Sequence, residues 1–159
     1  MSRKPLRPKQ RRKTLATDAK FSSLLLGKFL NKLNFKGQKS TAERIIYTSF
    51  DIIKEKLKED PLKVFIQAID NVRPLVEVKA RRVGGATYQV PIETPKDRSE
   101  TIAMRWIIQY ARERKGVPMH QKLADELISA YKKEGAAVKK KEDTHKMADA
   151  NKAFAHYRW

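Results

Sequence analysis

Cysteine is absent from the 159 residues. That removes disulfides, thiolate chemistry and cysteine-ligated zinc from consideration. Long apolar runs are missing too, and no stretch approaches the roughly 20 residues that a bilayer span needs. The first residues are basic, but they lead into no apolar core and no small-residue cleavage site, so they do not read as a secretory signal. Pro5 and Pro8 argue against an amphipathic targeting helix. Glycine is scarce, 6 in all, and its one adjacent pair, Gly84 and Gly85, fits neither GxxxxGKS/T nor GxGxxG. The three histidines, His120, His145 and His156, have no metal-helix spacing between them. No serine sits in a nucleophile elbow, and no general acid is set against a general base. An enzyme is therefore the weakest reading, and no cofactor, metal or small-molecule substrate is expected.

Acid is the scarcest charge. Lys and Arg number 36 against 18 Asp and Glu, a formal net charge of +18. Such an excess says little about fold and much about partners, and nucleic acid leads among anionic candidates. Residues 1–17 carry Arg3, Lys4, Arg7, Lys9, Arg11, Arg12 and Lys13 with no acid. Self-repulsion leaves such an arm without structure of its own, and phosphate contacts with released counterions can order it on RNA.

The remainder, 18–159, reads as one mainly α-helical domain of six helices with a single β-hairpin over 73–93. Asp18 is expected to open the first helix, whose apolar face holds Phe21, Leu24, Leu25 and Phe29. Ser40 and Glu43 have capping-box spacing for the second helix. Asp60 with Pro61, and Thr94 with Pro95, read as cap-and-proline starts for the third and fourth. The fourth shows an apolar face of Ile102, Ala103, Trp106, Ile107, Tyr110 and Ala111. Gly116 and Pro118 end it. A fifth follows through Leu123, Leu127 and Tyr131. A sixth begins in the lysine run and continues toward the last residue. Between the third and fourth helices, RPLVEVKARRVGGATYQVPIE alternates with a period of two around Gly84 and Gly85. A bare two-stranded ribbon is marginal in water, so it needs a helical body or a partner.

Cations fall in separate patches: the arm, Lys36 and Lys39 in the first interhelical loop, and Lys79, Arg81 and Arg82 toward the hairpin tip. Arg98, Arg105, Arg112, Arg114 and Lys115 lie outside the fourth helix's apolar face, and Lys139, Lys140 and Lys141 make a run. Such patches can brace separate RNA helices through phosphate contacts. The closing AFAHYRW is apolar for a terminus. Phe154, Tyr157 and Trp159 either cover the core or stack on something outside it.

Four segments carry a resemblance: GQKSTAERIIY at Gly37–Tyr47, DPLKVFIQAIDNVRP at Asp60–Pro74, VEVKARRVGGATYQVP at Val76–Pro91 and AVKKKEDTHKMADANKAFAHYRW at Ala137–Trp159. Through them the chain resembles the universal small-subunit ribosomal protein seven family, of bacterial or organellar type, over nearly its whole length. The resemblance implies six helices with a long ribbon between the third and fourth, and no catalysis. It implies binding to the 3′ major domain of small-subunit rRNA, assembly of the subunit head, and a place on a cytoplasmic or organellar ribosome. By position, Arg3, Lys4, Arg7, Arg11, Arg12, Lys36, Lys39, Arg98, Arg105 and Arg112 would touch rRNA. The hairpin residues Lys79, Arg81, Arg82, Gly84 and Gly85 would lie near mRNA and exit-site tRNA. Lys139, Lys140, Lys141, Tyr157, Arg158 and Trp159 would make C-terminal contacts to RNA or to neighbouring head and platform proteins. No membrane is implied. Departures are Ala19 where the family often has proline, Phe21 for a tyrosine, Ala80 for a serine, and Asp97-Arg98-Ser99 where paired arginines are common. The last lowers the positive charge beside the fourth helix. A DNA-binding regulator and an off-ribosome repressor of mRNA are the alternative readings.

Overall fold

The computed structural model describes residues 17–157. Within them the order is α1 (Leu24–Leu33), α2 (Lys39–Leu57), α3 (Pro61–Val72), β1 (Val76–Val83), β2 (Ala86–Glu93), α4 (Lys96–Glu113), α5 (Met119–Tyr131), α6 (Ala136–Ala150) and a 3-10 helix, Lys152–Tyr157. The helices therefore number seven among the described residues, not six. The sixth stops at Ala150, where Asn151 turns its side-chain amide back onto the Met147 carbonyl at 2.8 Å. The tail then tightens into 3-10 geometry over Lys152–Tyr157.

α5 is the hub. It packs on α2, α3 and α4, and its Leu123, Ala124, Leu127 and Ala130 are fully buried. Around it, Phe29 of α1 meets Phe65 of α3 edge to face at 5.2 Å. Phe50 of α2 lies 5.8 Å from the same ring. Aromatic pairs of this kind add about 1 kcal/mol beyond the area they bury. The α4 core face is rotated from the expected one: Met104 and Ile108 are buried with Ala103, Ile107 and Ala111, whereas Ile102, Trp106 and Tyr110 are only half-buried. A helix packed against both α3 and α5 presents a wider stripe than one spacing rule selects.

Three expected caps are replaced, each for a tertiary or local reason. Asp18 does not open α1. Its carboxylate accepts from the backbone N–H of Lys20 and Phe21 and from the Tyr47 hydroxyl at 2.7 Å, 29 residues away. Ser22, at φ +51°, breaks the chain after that turn. Ser23 then caps the helix, its Oγ accepting from Leu26 N–H. Ser40 does not cap α2, because left-handed Lys36 and Gly37 bring Gln38 into the N-cap position. Glu43 pairs with Lys39 instead. Pro95, not Thr94, holds the N-cap of α4; the Thr94 N–H donates to the Leu75 carbonyl at the ribbon base, which sets Thr94 one residue ahead of the cap. Asp60 does cap α3, accepting from Leu62 N–H at 3.0 Å with Pro61 behind it.

The ribbon is antiparallel, in register from Val76 opposite Glu93 to Val83 opposite Ala86. Gly84 and Gly85 both have positive φ, +57° and +89°. Two such residues in succession make the hairpin turn whose twist matches the strands. The base of the ribbon is anchored. Val90 is fully buried, the Leu75 N–H donates to His145 Nε2 of α6 at 3.1 Å, and α6 lies along β1.

The Asp18–Tyr47 contact carries a pH signature. Burial, then the hydrogen bond to Asp18 and its charge, push the Tyr47 phenol from its ordinary 10 up to about 12. The folded chain holds this proton more tightly than the unfolded chain. Stability from this contact is thus complete below pH 10 and lost as pH rises through about 12. Urea titrations across that window should show the wild type losing stability in a step that Tyr47→Phe lacks. Parallel curves for the two proteins would show that the contact contributes nothing there.

Candidate nucleic-acid interface

Where an anion could bind is decided by which cations the fold leaves without an acid. Helices α1 and α4 run side by side, and their polar faces form a seam. A groove of about 420 Å³ there is lined by Lys32, Arg105, Ile108, Gln109, Arg112 and Glu113. A second hollow, about 390 Å³, continues it through Lys28, Asn31, Lys32 and Thr101. Among the described residues neither Lys32 nor Arg105 has an acidic partner. Burial, then the charges of Arg105 and Lys28, hold the Lys32 ammonium below its ordinary value. A cation crowded by cations is destabilising in the free protein and becomes favourable once phosphate enters. Arg112 also serves the fold, since its guanidinium donates to the Leu33 carbonyl at the end of α1, 3.2 Å away. Arg105 and Arg112 were anticipated from the α4 sequence. Lys32 and Gln109 were not, although Lys28 and Lys32, one turn apart on the polar side of α1, are a readable signal.

Other expected contacts are drawn into the protein itself. Arg98 forks onto Glu77 of β1, Nε to Oε1 at 2.7 Å and Nη2 to Oε2 at 2.9 Å, tying the ribbon to the start of α4. Lys79 lies 3.2 Å from the same carboxylate. Burial raises the Glu77 carboxyl, but hydrogen bonds from Arg98 and Lys79 outweigh it and hold the group below the usual carboxylate value. Lys141 reaches the Asn71 carbonyl at 2.7 Å and so closes the C-terminal end of α3. Arg114 pairs with Glu126, whose side chain is only 1 % exposed. Lys139 is exposed and Lys140 half-buried. In the α1–α2 loop Lys36 is exposed, its ammonium 5.6 Å from the centre of the Phe35 ring, and Lys39 is shared with Glu43. Arg82, Gly84 and Gly85 are exposed at the ribbon end. Arg3, Lys4, Arg7, Arg11, Arg12, Arg158 and Trp159 lie outside the described residues.

Of the two places open to the aromatic tail, Phe154 and Tyr157 take the one outside the core, and that place is the protein's own ribbon. Phe154 and Tyr157 pack on the ribbon through Tyr88, with ring centres 5.2 and 5.1 Å away. Arg81 donates to the Tyr157 carbonyl. The ribbon thus has a support on each strand, α6 on β1 and the 3-10 helix on β2. Tyr88→Ala removes the ring that joins tail to β2. Amide hydrogen exchange should speed up in both 86–93 and 152–157 while α5 stays protected. Unchanged exchange in both segments would show that the clamp does not hold them.

No group of three or more His, Asp or Glu among the described residues could hold a metal ion, and no described helix is long and apolar enough to cross a membrane. What the geometry offers is distributed: a cationic seam, a basic loop and a braced ribbon, suited to a folded polyanion rather than to a small ligand. Comparison with known proteins agrees with that form. A family model described as Ribosomal protein S7p/S5e matches residues 4–152. The chain is similar to the small ribosomal subunit protein uS7 of Endomicrobium trichonymphae, 62% identical over 159 residues and the full length of both. The protein of the same name from Elusimicrobium minutum is 57% identical, again over both full lengths. That of Thermotoga petrophila is 58% identical over 142 residues, 89% of this chain and 92% of its own.

Proposed function

Because the chain belongs to the ribosomal protein S7p/S5e family, we propose that it is a non-catalytic structural component of the small ribosomal subunit that binds the 3′ major domain of the rRNA and organises the subunit head. The observation that carries this reading is the α1–α4 seam, where Lys32 and Arg105 are held close without acidic partners. Cations so placed gain most from phosphate, and releasing the counterions of RNA supplies the affinity. The rigid helices set the spacing of contacts, so the protein reads the shape of folded RNA more than its bases.

In this reading the loop with Lys36 and Lys39 extends the rRNA contact. The exposed end of the ribbon, with Arg82 and the Gly84–Gly85 turn, reaches toward mRNA and exit-site tRNA. Bracing by α6 and the 3-10 helix suits that role, because a free two-stranded ribbon could not hold a position beside moving ligands. Tail and lysine run meet neighbouring head and platform proteins, and the working place is the cytoplasmic ribosome.

Hydroxyl-radical footprinting of a 3′ major-domain transcript tests the reading. Discrete backbone protections that persist at physiological salt are expected, along with retention of the protein on small subunits through a high-salt wash. A transcript left fully open to cleavage at saturating protein would refute it. So would an equal preference for duplex DNA.

A further inference from the structure

Phe35 has no structural reason to be where it is. Its side chain is 65 % exposed in the loop between α1 and α2, equalled only by Leu75 among the large apolar residues described. It belongs neither to the core nor to the half-buried layer around it. Yet the loop is ordered by its own bonds. Asn34 N–H donates to Leu30 O at 2.9 Å, Gln38 N–H donates to Phe35 O at 3.1 Å, and Lys36 and Gly37 sit at φ +52° and +79°. The ring is therefore presented on a defined turn between two helix ends. Its chemical setting is one-sided: no acid occurs from Asn34 to Ala42, and Lys36 Nζ stands over the ring at 5.6 Å.

We infer that Phe35 is a nucleobase-stacking platform, taking an unpaired base of the RNA onto its ring while Lys36 and Lys39 meet the flanking phosphates. Folded RNA offers splayed single-stranded bases, and aromatic rings capture them without regard to base identity. A phenyl ring has few rotamers to freeze, so little entropy opposes the contact. A pocket on a protein partner would also accept an exposed Phe, but Lys36 over the ring, unpaired among the described residues, with Lys39 beyond it shared with Glu43, favours a polyanion. The inference rests on the RNA-binding reading above and adds to it a residue whose charge is zero.

The test measures filter binding of the full chain to a 3′ major-domain transcript at several salt concentrations, for wild type, Phe35→Ala, Phe35→Leu and Phe35→Trp. Phe35→Ala should weaken binding by roughly 5- to 150-fold, the range for losing one stacked base. The salt slope should stay unchanged, because no phosphate contact is lost. Phe35→Leu should remain weak, and Phe35→Trp should restore affinity. The added indole emission, after subtracting wild-type Trp fluorescence, should be quenched by the RNA. Wild-type affinity in Phe35→Ala overturns the proposal, as does full rescue by Leu. Normal RNA binding by Phe35→Ala with failed incorporation alongside other ribosomal proteins overturns it in favour of a protein pocket. If the wild type itself does not bind the transcript, the functional reading falls first, which is a separate result. Circular dichroism should be the same for all four proteins, since the side chain supports no packing.

Discussion

Replacing Lys32 and Arg105 together by Gln should weaken binding to the 3′ major-domain RNA by roughly 10- to 100-fold near physiological salt, with the slope of log affinity against log salt falling by about 1 to 2. The expectation comes from the seam, where both groups line one groove and neither is ion-paired among the described residues, the groove's one acid, Glu113, being hydrogen-bonded to Gln109. The same substitution should not harm the fold. Lys32 is held below its ordinary value by burial and by the charges of Arg105 and Lys28, so removing charge there relieves repulsion. Chemical denaturation should show stability equal to or slightly above wild type, about a few tenths of a kcal/mol. Loss of binding joined to a gain in stability is the mark of a group kept for its partner. Arg112→Ala makes the useful contrast, because it also releases the Leu33 carbonyl and so loosens the end of α1. Unchanged affinity and slope in the double variant would move the RNA contact away from this seam.

Glu126→Ala should cost about 3 kcal/mol of folding stability, the low end of the range for breaking a buried charge contact, because Arg114 is partly solvated. In a chain of this size that lowers the melting midpoint by roughly 6 to 12 °C. Glu126 is fully buried and joins three elements. One oxygen takes the Arg114 guanidinium just past the end of α4, at 2.5 and 3.1 Å, and the other accepts the Ala137 N–H in the first turn of α6 at 3.3 Å. Its removal strands a guanidinium and a buried helix amide together. Glu126→Gln keeps an acceptor for Ala137 and should lose roughly half as much. The neighbouring Gly135 has no slack to adapt. It sits at φ +93°, and an added Cβ would stand 3.0 Å from the Ser129 Cβ. RNA affinity of the folded fraction should be unaltered. A melting midpoint within a degree of wild type would mean the joint contributes nothing to stability.

Both predictions turn on a distinction that the string of residues does not make. Arg98, Arg105, Arg112 and Arg114 look alike in the α4 sequence, each a cation outside the apolar stripe. In the fold, Arg98 is spent on Glu77, 21 residues away, Arg114 on Glu126, and Arg112 partly on a backbone carbonyl, leaving Arg105 open. Lys141 looked like part of a surface run and instead closes α3 from 70 residues away. Lys32 is marked in α1 only by its spacing from Lys28, and the fold alone brings Arg105 beside it. The capping residues fared by the same rule. Asp60 does what its local pattern says, since nothing distant competes for it. Asp18 does not, since Tyr47 captures it.

The order of residues alone determined the helical periods, the hairpin with its Gly84–Gly85 turn, the absence of thiol chemistry, the excess of positive charge and the resemblance that placed the chain in its family. These depend on neighbours within a turn or a ladder step, or on composition, and such interactions are set before the chain packs. Tertiary structure alone decided which cations remain open to RNA, that the tail leaves α6 as a separate 3-10 helix, and that its aromatics brace the ribbon through Tyr88. Those outcomes depend on distances of a few ångströms between residues far apart in the chain. Electrostatic pairing and ring packing fall off over that same range, so only the packed body can assign them.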